Sequence, residues 1–150
     1  MKDFSLRLLA TGFGLGMAPV APGTFGTLGA IPLYYLLSFT HIYVYMGVTL
    51  VATVGAVFVC EFAEPLFGKH DSKHIVIDEI VGFLVAMTWV PLHWKTLIAG
   101  FVLFRFFDAV KPWPISHLDR KIKGGLGVVC DDVAAGLATN LILQGILPYL

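Results

Sequence analysis

The sequence predicts an all-α protein, a polytopic helical membrane bundle with four or five short membrane helices and one polar face. Hydrophobic residues make up 57% of the 150-residue chain and charged residues only 13%, against roughly 25% charged residues in an ordinary soluble domain. Mean hydropathy is +0.83. No segment shows the alternation of apolar and polar residues that indicates strands. The length corresponds to one domain, which we assign to residues 1–150.

The composition also excludes several functions. The 10 Lys and Arg residues balance the 10 Asp and Glu residues, so the chain lacks the basic surface that binds nucleic acid. The two cysteines, Cys60 and Cys130, do not form the Cys-x-x-Cys pair that is typical of zinc or redox sites. We therefore expect two free thiols and no nucleic-acid partner.

The apolar segments set the number of predicted membrane helices. They lie at about residues 26–39, 42–60, 80–91, 96–107 and 133–150. Only 42–60 and 133–150 approach the roughly 20 residues that a straight helix needs to cross about 30 Å of hydrocarbon. The other three segments are shorter.

Residues 80–107 are predicted to form two helices joined as a hairpin. Pro91 would remove a helix hydrogen bond in the middle of this segment. Trp89 and Trp94 flank Pro91 and resemble an interfacial aromatic belt. The alternative is one long helix bent at Pro91, which would place the residues before and after it on opposite sides of the membrane.

The distribution of charge favours the hairpin. With two helical hairpins, residues 1–25, 61–79 and 105–132 share one side of the membrane and contain nine of the 10 Lys and Arg residues. Only Lys95 then lies on the other side. All 10 acidic residues fall on the same side as the nine basic ones. The positive-inside rule makes this polar face cytoplasmic, and we expect the chemistry of the protein there.

Two pairs of carboxylates precede apolar helices. Asp78 and Glu79 come before the segment 80–91, and Asp131 and Asp132 come before 133–150. Acidic residues at a helix N-terminus can cap free N–H groups and complement the helix dipole. Capping and function are therefore both open explanations for each pair.

Asp108 has a less favourable position. It ends the segment 96–107, where its negative charge meets the negative end of the helix dipole. A cation must offset this charge. Arg105 or Lys111 could do so in an ion pair, or a bound metal could.

Acidic groups that meet at one face predict a site for a hard cation. Carboxylate oxygens suit Mg²⁺, which often shares its coordination with a substrate phosphate, so we expect Mg²⁺ as the cofactor. Zinc would need His or Cys clusters, and His70 and His74 form the only candidate pair. That pair lies in a charged loop, where we expect solvated histidines.

A glycine and threonine motif is a candidate phosphate site. Gly23-Thr24-Phe25-Gly26-Thr27 opens an apolar helix after Pro22. The free N–H groups of such a helix N-terminus, with the hydroxyls of Thr24 and Thr27, can bind an anion. The alternative is an ordinary Thr N-cap beside glycines that mark the boundary between loop and helix.

Basic residues provide two further candidates for anion binding. Arg120, Lys121 and Lys123 can either fix the topology and attract lipid headgroups or form a landing site for an anionic lipid. The stiff segment Lys111-Pro112-Trp113-Pro114 can either turn the chain at the membrane surface or hold the Lys111 ammonium near a phosphate.

Several motifs together resemble one known family. They are GFGLG at 12–16, APGTFGTL at 21–28, IDEIVG at 77–82, FRFFDAVKPWPI at 104–115 and GGLGVVCDDVAAG at 124–136. In this order and spacing they resemble the phosphatidylglycerophosphatase A family, over about residues 6 to 140. The resemblance implies an all-helical, Mg²⁺-dependent lipid phosphatase of the bacterial inner membrane. It would convert the anionic phospholipid phosphatidylglycerophosphate to phosphatidylglycerol and phosphate.

The resemblance also implies which residues form the site. The metal ligands would be Asp78, Glu79, Asp108, Asp131 and Asp132. The phosphate-binding residues would be Thr24, Thr27, Arg105 and Lys111. The catalytic residues would be Asp108, Lys111, Asp131 and Asp132.

Other functions predict other patterns. A CDP-alcohol phosphotransferase would show a spaced aspartate signature that begins with Asp-Gly and Ala-Arg pairs, which this chain lacks. His117 lacks the surroundings of a histidine-based lipid phosphatase, and neither cysteine begins a Cys-x₅-Arg motif. A small ion carrier or channel would place acids within its membrane segments, whereas the predicted segments contain none.

Overall fold

The computed structural model describes residues 2–68, 72–113 and 115–150, without the side chains of residues 2 and 118–120. These residues form α-helices and two short 3-10 helices, and they contain no strand. The α-helices are α1 (Lys2–Ala10), α2 (Pro22–Ser38), α3 (Ile42–Phe67), α4 (Ile77–Ala86), α5 (Trp94–Val110), α6 (Ile115–Lys121) and α7 (Gly124–Ile146). The predicted all-α class is confirmed.

Two helices are long and apolar enough to cross a membrane. Among the described residues these are Ile42–Phe67 and Gly124–Tyr149, each of 26 residues. They correspond to the predicted segments 42–60 and 133–150. The prediction of four or five membrane helices is unconfirmed, because α4 has 10 residues and reaches only about 15 Å at 1.5 Å per residue.

The predicted hairpin of two helices is present. α4 ends at Ala86 and α5 begins at Trp94, with Pro91 in the connection between them. Trp89 and Trp94 are each 65% exposed at this connection. The Asn140 side chain on α7 donates hydrogen bonds to two carbonyls at this point. One belongs to Ala86, the last residue of α4, and the other to Thr88 in the connection.

Helix α7 begins earlier than predicted. It starts at Gly124, so Asp131 and Asp132 lie about two turns inside the helix. The interpretation of this pair as helix caps is wrong. The N-terminus of α7 is bound instead by Glu61 on α3, whose Oε2 accepts the Gly125 N–H at 2.6 Å. A side chain at Gly125 would collide with the α3 backbone, so the glycine allows this close approach.

Glycines also bring α4 and α7 into contact along their backbones. A Cβ atom at Gly82 would lie 2.8 Å from the Asp132 carbonyl oxygen and 2.9 Å from the Phe104 ring. A Cβ atom at Gly136 would collide with the Gly82 carbonyl oxygen. Small residues of this kind let helices approach closely in membrane proteins. The crossing determines how near the acids of the two helices come.

The bundle has two distinct ends. At one end, α2 and α3 pack against the last turn of α4 and the α4–α5 connection. Tyr34 Oη donates to the Val90 carbonyl in the connection at 2.9 Å, and Tyr45 Oη donates to the Leu84 carbonyl on α4 at 2.7 Å. The N-termini of α2 and α4, the C-terminus of α5 and the first half of α7 meet at the other end, which carries the acidic residues.

The outer surface of α3 is apolar. Val51, Phe58 and Phe62 are between 60 and 72% exposed, and other large apolar side chains on this helix are also exposed. Exposed apolar surface of this extent marks an interaction with lipid or protein. Cys60 and Cys130 are free thiols, as expected.

Candidate active site

Three carboxylates form a compact cluster where α4 crosses α7. One oxygen each from Asp78, Glu79 and Asp132 lies within 4.8 Å of the other two. Asp78 and Glu79 are in the first turn of α4, one turn before the Gly82 crossing. Asp132 lies one turn before Gly136 on α7, so the crossing brings the three side chains together.

The cluster is buried. Asp78 is 6% exposed and Asp132 is 3% exposed, and the Glu79 side chain is 14% exposed. Asp78 Oδ1 and Glu79 Oε2 have no hydrogen-bond partner among the described residues. Buried carboxylate oxygens without a partner are costly, and a hard divalent cation would satisfy them. This donor set therefore fits a hard divalent cation.

Burial changes the protonation of the two acids on α4. Burial, and then the negative charge of Asp132, raise the pKa of Glu79 to about 8. Burial, followed by the charge of Glu79, raises the pKa of Asp78 well above its usual value. Perturbed groups that share a cluster are typical of functional sites. Capping in the first turn of α4 does not by itself explain the burial of this pair.

Arg105 supplies positive charge beside the cluster. Its Nη1 lies 2.5 Å from Asp108 Oδ2 and 4.0 Å from Glu79 Oε1, and it donates to Thr27 Oγ1 at 3.4 Å. Asp108 is in the last turn of α5, where the helix dipole disfavours its charge. The ion pair with Arg105 compensates the unfavourable interaction between the Asp108 charge and the helix dipole.

Lys111 forms the second cationic contact. Its Nζ makes an ion pair with Asp131 Oδ2 on α7. Lys111 ends α5 with a left-handed backbone, φ 44°, and its N–H donates to the Phe107 carbonyl at 2.9 Å. A non-glycine residue in this conformation costs roughly 1–2 kcal/mol. This turn directs the chain, and the ammonium with it, back toward α7.

The N-terminus of α2 completes the polar surroundings. A Cβ atom at Gly23 would collide with Glu79 Oε1 and would lie 3.2 Å from both terminal Arg105 nitrogens. The absence of a side chain at Gly23 therefore lets α2 begin directly against the cluster. Thr27 is buried and its hydroxyl donates to the Gly23 carbonyl at 3.0 Å, while Thr24 is half-buried in the first turn.

The predicted site residues thus fall into a central group and a surrounding group. Asp78, Glu79 and Asp132 form the central group. Asp108 and Asp131 lie outside this cluster, and each makes an ion pair with a nearby cation. Their charges nevertheless act on the cluster, since Asp132 interacts electrostatically with both.

Other sequence predictions have different outcomes. His74 is half-buried, and its Nδ1 is 2.9 Å from the Gly16 carbonyl oxygen, so one ring nitrogen contacts the backbone while part of the side chain remains accessible to solvent. Lys121 and Lys123 are exposed near the start of α7. His70, Pro114 and the side chain of Arg120 lie outside the part of the chain that the structure describes.

Some residues that build the site were not among the predicted ones. Glu61 binds the start of α7, and Gly82 and Gly136 form the helix crossing. The sequence contains a signal for the crossing, because both Asp78 and Asp132 are followed by glycine four residues later. An Asp-x-x-x-Gly spacing places the carboxylate and the glycine on one helix face.

The arrangement can hold a phosphate ester next to a cation. Three carboxylates offer oxygen ligands to a hard ion, while Arg105, Lys111 and the N-terminus of α2 offer positive charge to phosphate oxygens. Enzymes usually stabilise a transferring phosphoryl group with a metal ion, cationic side chains and a helix dipole that act together.

Comparisons with known proteins agree with this chemistry. The family model of phosphatidylglycerophosphatase A matches residues 8–147. A relative of that name from Escherichia coli strain K12 is 41% identical over 138 residues, which cover 91% of this chain and 80% of the relative. A second, from Haemophilus influenzae, is 37% identical over 143 residues, covering 94% and 88% of the two chains.

A third relative carries a different name. This Bacteroides thetaiotaomicron protein is 37% identical over 145 residues, covering 91% of this chain and 89% of the relative, and is provisionally named a phosphatidylinositol-3-phosphatase. No solved structure matches the chain. The family model covers nearly the whole sequence, and the identities are high over most of each relative. The chain therefore belongs to the phosphatidylglycerophosphatase A family.

Proposed function

We propose that the protein is a Mg²⁺-dependent phosphatase that hydrolyses phosphatidylglycerophosphate to phosphatidylglycerol and inorganic phosphate. The observation that carries this proposal is the buried cluster of Asp78, Glu79 and Asp132 beside Arg105. The names of the two phosphatidylglycerophosphatase relatives support the substrate.

The metal would be held first by the three clustered carboxylates. Bound there, a magnesium ion would polarise phosphoryl oxygens and activate a water molecule. Asp108 and Asp131 are the further ligand candidates, and they also hold Arg105 and Lys111 in place through their ion pairs. An all-oxygen donor set favours magnesium over zinc.

The phosphate monoester would lie between the cluster and the start of α2. Arg105 can donate hydrogen bonds to its oxygens from a position that Asp108 and Thr27 fix. Lys111 adds a second positive charge from the α7 side, and Thr24 lies in the first turn of α2. In hydrolysis, a bond forms from a nucleophile oxygen to phosphorus, the ester P–O bond breaks, and the glycerol oxygen takes up a proton.

We also propose that the protein is embedded in the bacterial inner membrane with this site at the cytoplasmic surface. The two candidate spans and the apolar surface of α3 support embedding. The orientation follows from the positive-inside rule, since nine of the 10 Lys and Arg residues lie in the segments that belong to the acidic end.

Phosphate release from defined lipids tests the proposed function. The purified protein in detergent micelles is expected to hydrolyse phosphatidylglycerophosphate with Mg²⁺ and to lose this activity after exhaustive EDTA treatment, with recovery on adding Mg²⁺. Phosphatidylinositol 3-phosphate is the matched competitor, because its phosphate is also a monoester on a diacyl lipid. Faster phosphate release from phosphatidylinositol 3-phosphate would contradict phosphatidylglycerophosphate as the substrate. Full activity after EDTA treatment would contradict the dependence on a metal ion.

A further inference from the structure

A large apolar groove lies on the face of α4 opposite the acidic cluster. It has a volume of about 710 Å³ and lies between α2, α3 and α4, with the residues after α1 at one side. All the residues that line it are apolar or glycine. Ile77, Ile80, Val81 and Leu84 form its wall on α4 with the spacing of a single helical stripe.

The groove and the candidate active site are built on the same two helices, α2 and α4. On α4, the groove residues Ile77 and Ile80 flank Asp78 and Glu79, so one helix about 10 Å across separates the groove from the cluster. On α2, the turn at Gly23 touches Glu79, and the groove residue Gly29 follows about 9 Å further along the helix.

The direction of the groove fits a chain that leaves a headgroup and enters a membrane. It begins at the polar end of the bundle, beside Ile77 and Val59, and follows about two turns of α3 and α4, roughly 10 Å, toward Leu84 and Ala52. Its outer wall includes Leu36, which is 65% exposed. An acyl chain attached to a phosphate at the cluster would run along the helices in this direction.

We propose that this groove binds one acyl chain of the phospholipid substrate while its phosphate occupies the cluster; this rests on the proposed function. The groove then gives the enzyme its preference for a diacyl lipid over a water-soluble phosphate ester of the same headgroup. A chain in the groove would contact apolar side chains in place of lipid and would hold the attached phosphate at the cluster. A deacylated ester lacks this chain and its contacts.

Two glycines on α3 offer a matched pair of variants. A Cβ atom at Gly55 or at Gly47 would meet no heavy atom within 4 Å. Gly55 lines the groove and Gly47 does not, and both are exposed. Gly55→Leu would therefore fill the groove without a clash in the fold, and Gly47→Leu is its control. Leucine is also a better helix former than glycine, so both variants should fold.

The test compares kcat/KM for phosphatidylglycerophosphate in mixed micelles with kcat/KM for its deacylated, water-soluble analogue. Gly55→Leu is expected to lower kcat/KM at least fivefold for the diacyl lipid and to leave the soluble ester unchanged, whereas Gly47→Leu changes neither. If Gly55→Leu keeps parent activity on the diacyl lipid, the groove does not bind the acyl chain of the substrate, and the proposed function is unaffected. An equal loss on both substrates would also contradict acyl-chain binding in the groove.

Photolabelling gives a readout that does not depend on turnover. A phosphatidylglycerophosphate with a diazirine in one acyl chain is expected to label α2, α3 or α4 at the groove in the parent protein, and to label Gly55→Leu several-fold less. If the parent releases no phosphate from any lipid, the proposed function fails, and the labelling still decides whether the groove holds this chain. Equal labelling by a diazirine-bearing phosphatidylcholine would assign the groove to membrane lipid in general.

Discussion

The two faces of α4 are packed in opposite ways. Toward α7, Gly82 and Gly136 bring the helix backbones into contact, and the cluster of Asp78, Glu79 and Asp132 lies one turn away. Toward α2 and α3, the same helix borders a groove of about 710 Å³. A metal site needs ligands fixed within fractions of an ångström, whereas a flexible lipid chain needs room. The close contact and the open groove match these two requirements on one short helix.

Neutralising a carboxylate on the close-packed face should have the largest effect. Asp132→Asn keeps the shape of the side chain but removes the charge that a cation requires, so we expect at least a ~100-fold loss of kcat/KM, or about 2.7 kcal/mol. Phosphate release from phosphatidylglycerophosphate measures it. Asp3→Asn, at an exposed position on α1, is the control and should retain parent activity. A folded Asp132→Asn protein with parent activity would remove Asp132 from the site.

Adding one methyl group to each face of α4 tests the packing difference directly. Gly82→Ala would place its Cβ 2.8 Å from the Asp132 carbonyl oxygen, so the helices must separate. We expect at least a tenfold loss of activity and a lower free energy of unfolding by about 1–3 kcal/mol. Gly55→Ala, at the open groove, should keep parent activity and gain up to about 1 kcal/mol of stability.

Thermal unfolding in detergent, together with phosphate release, measures both variants. Equal stability of Gly82→Ala and Gly55→Ala would show that the α4–α7 contact tolerates separation. An added methyl group would then cost the same on the α7 side of α4 as at the groove, and the two faces of α4 would not differ in how tightly they are packed.

Arg105 tests how much the close-packed face depends on geometry as well as charge. Arg105→Lys keeps the positive charge but loses the planar guanidinium, whose Nη1 atom contacts Asp108, Glu79 and Thr27. An ammonium also lacks the fork of donors that binds phosphate through two nitrogens. We expect about a tenfold loss in kcat. Lys95→Arg, an exposed position at the opposite end of the bundle, should change nothing. If Arg105→Lys keeps the parent kcat, only the positive charge of this side chain matters, and its donor geometry does not.

The sequence predicted the helical class and the central acids better than it predicted helix α7. The apolar runs identify α3 and the last part of α7, because a membrane span needs only length and hydropathy. The run Gly124-Gly125-Leu126-Gly127 looks like a loop, since glycine is a poor helix former. Contact with α3 and the bond from Gly125 to Glu61 stabilise helix there instead. Such contacts between distant segments cannot be read from local composition.

The distinction between Asp132 and Asp131 illustrates the same limit. The two residues are adjacent in the sequence and were equal candidates. On a helix, adjacent side chains point about 100° apart, so Asp132 enters the cluster with Asp78 while Asp131 pairs with Lys111. The start of α7 determines this separation. The shared Asp-x-x-x-Gly spacing at Asp78 and Asp132 was the one sequence signal that could have identified the closer pair.

The pH dependence of stability gives the smallest expected effect and links the cluster to its cation. The pKa of Glu79 is raised by burial to about 8 and that of Asp78 is raised as well. Between the unfolded pKa, near 4.3 for glutamate, and about 8, the folded protein binds more protons than the unfolded chain. Its free energy of unfolding therefore falls as pH rises through this window. The stabilisation by the protonated carboxyls is complete below the window and lost above it.

We therefore expect the melting temperature of the EDTA-treated protein to fall by several degrees from pH 6 to pH 8.5. Saturating Mg²⁺ should raise it more at pH 8.5 than at pH 6, because protons compete with the ion for the same oxygens. Glu79→Gln removes one titrating group and should flatten the metal-free profile. A profile that is unchanged in Glu79→Gln would mean that other groups titrate in this range. An equal Mg²⁺ effect at both pH values would mean that the ion binds away from the protonated acids of the close-packed face.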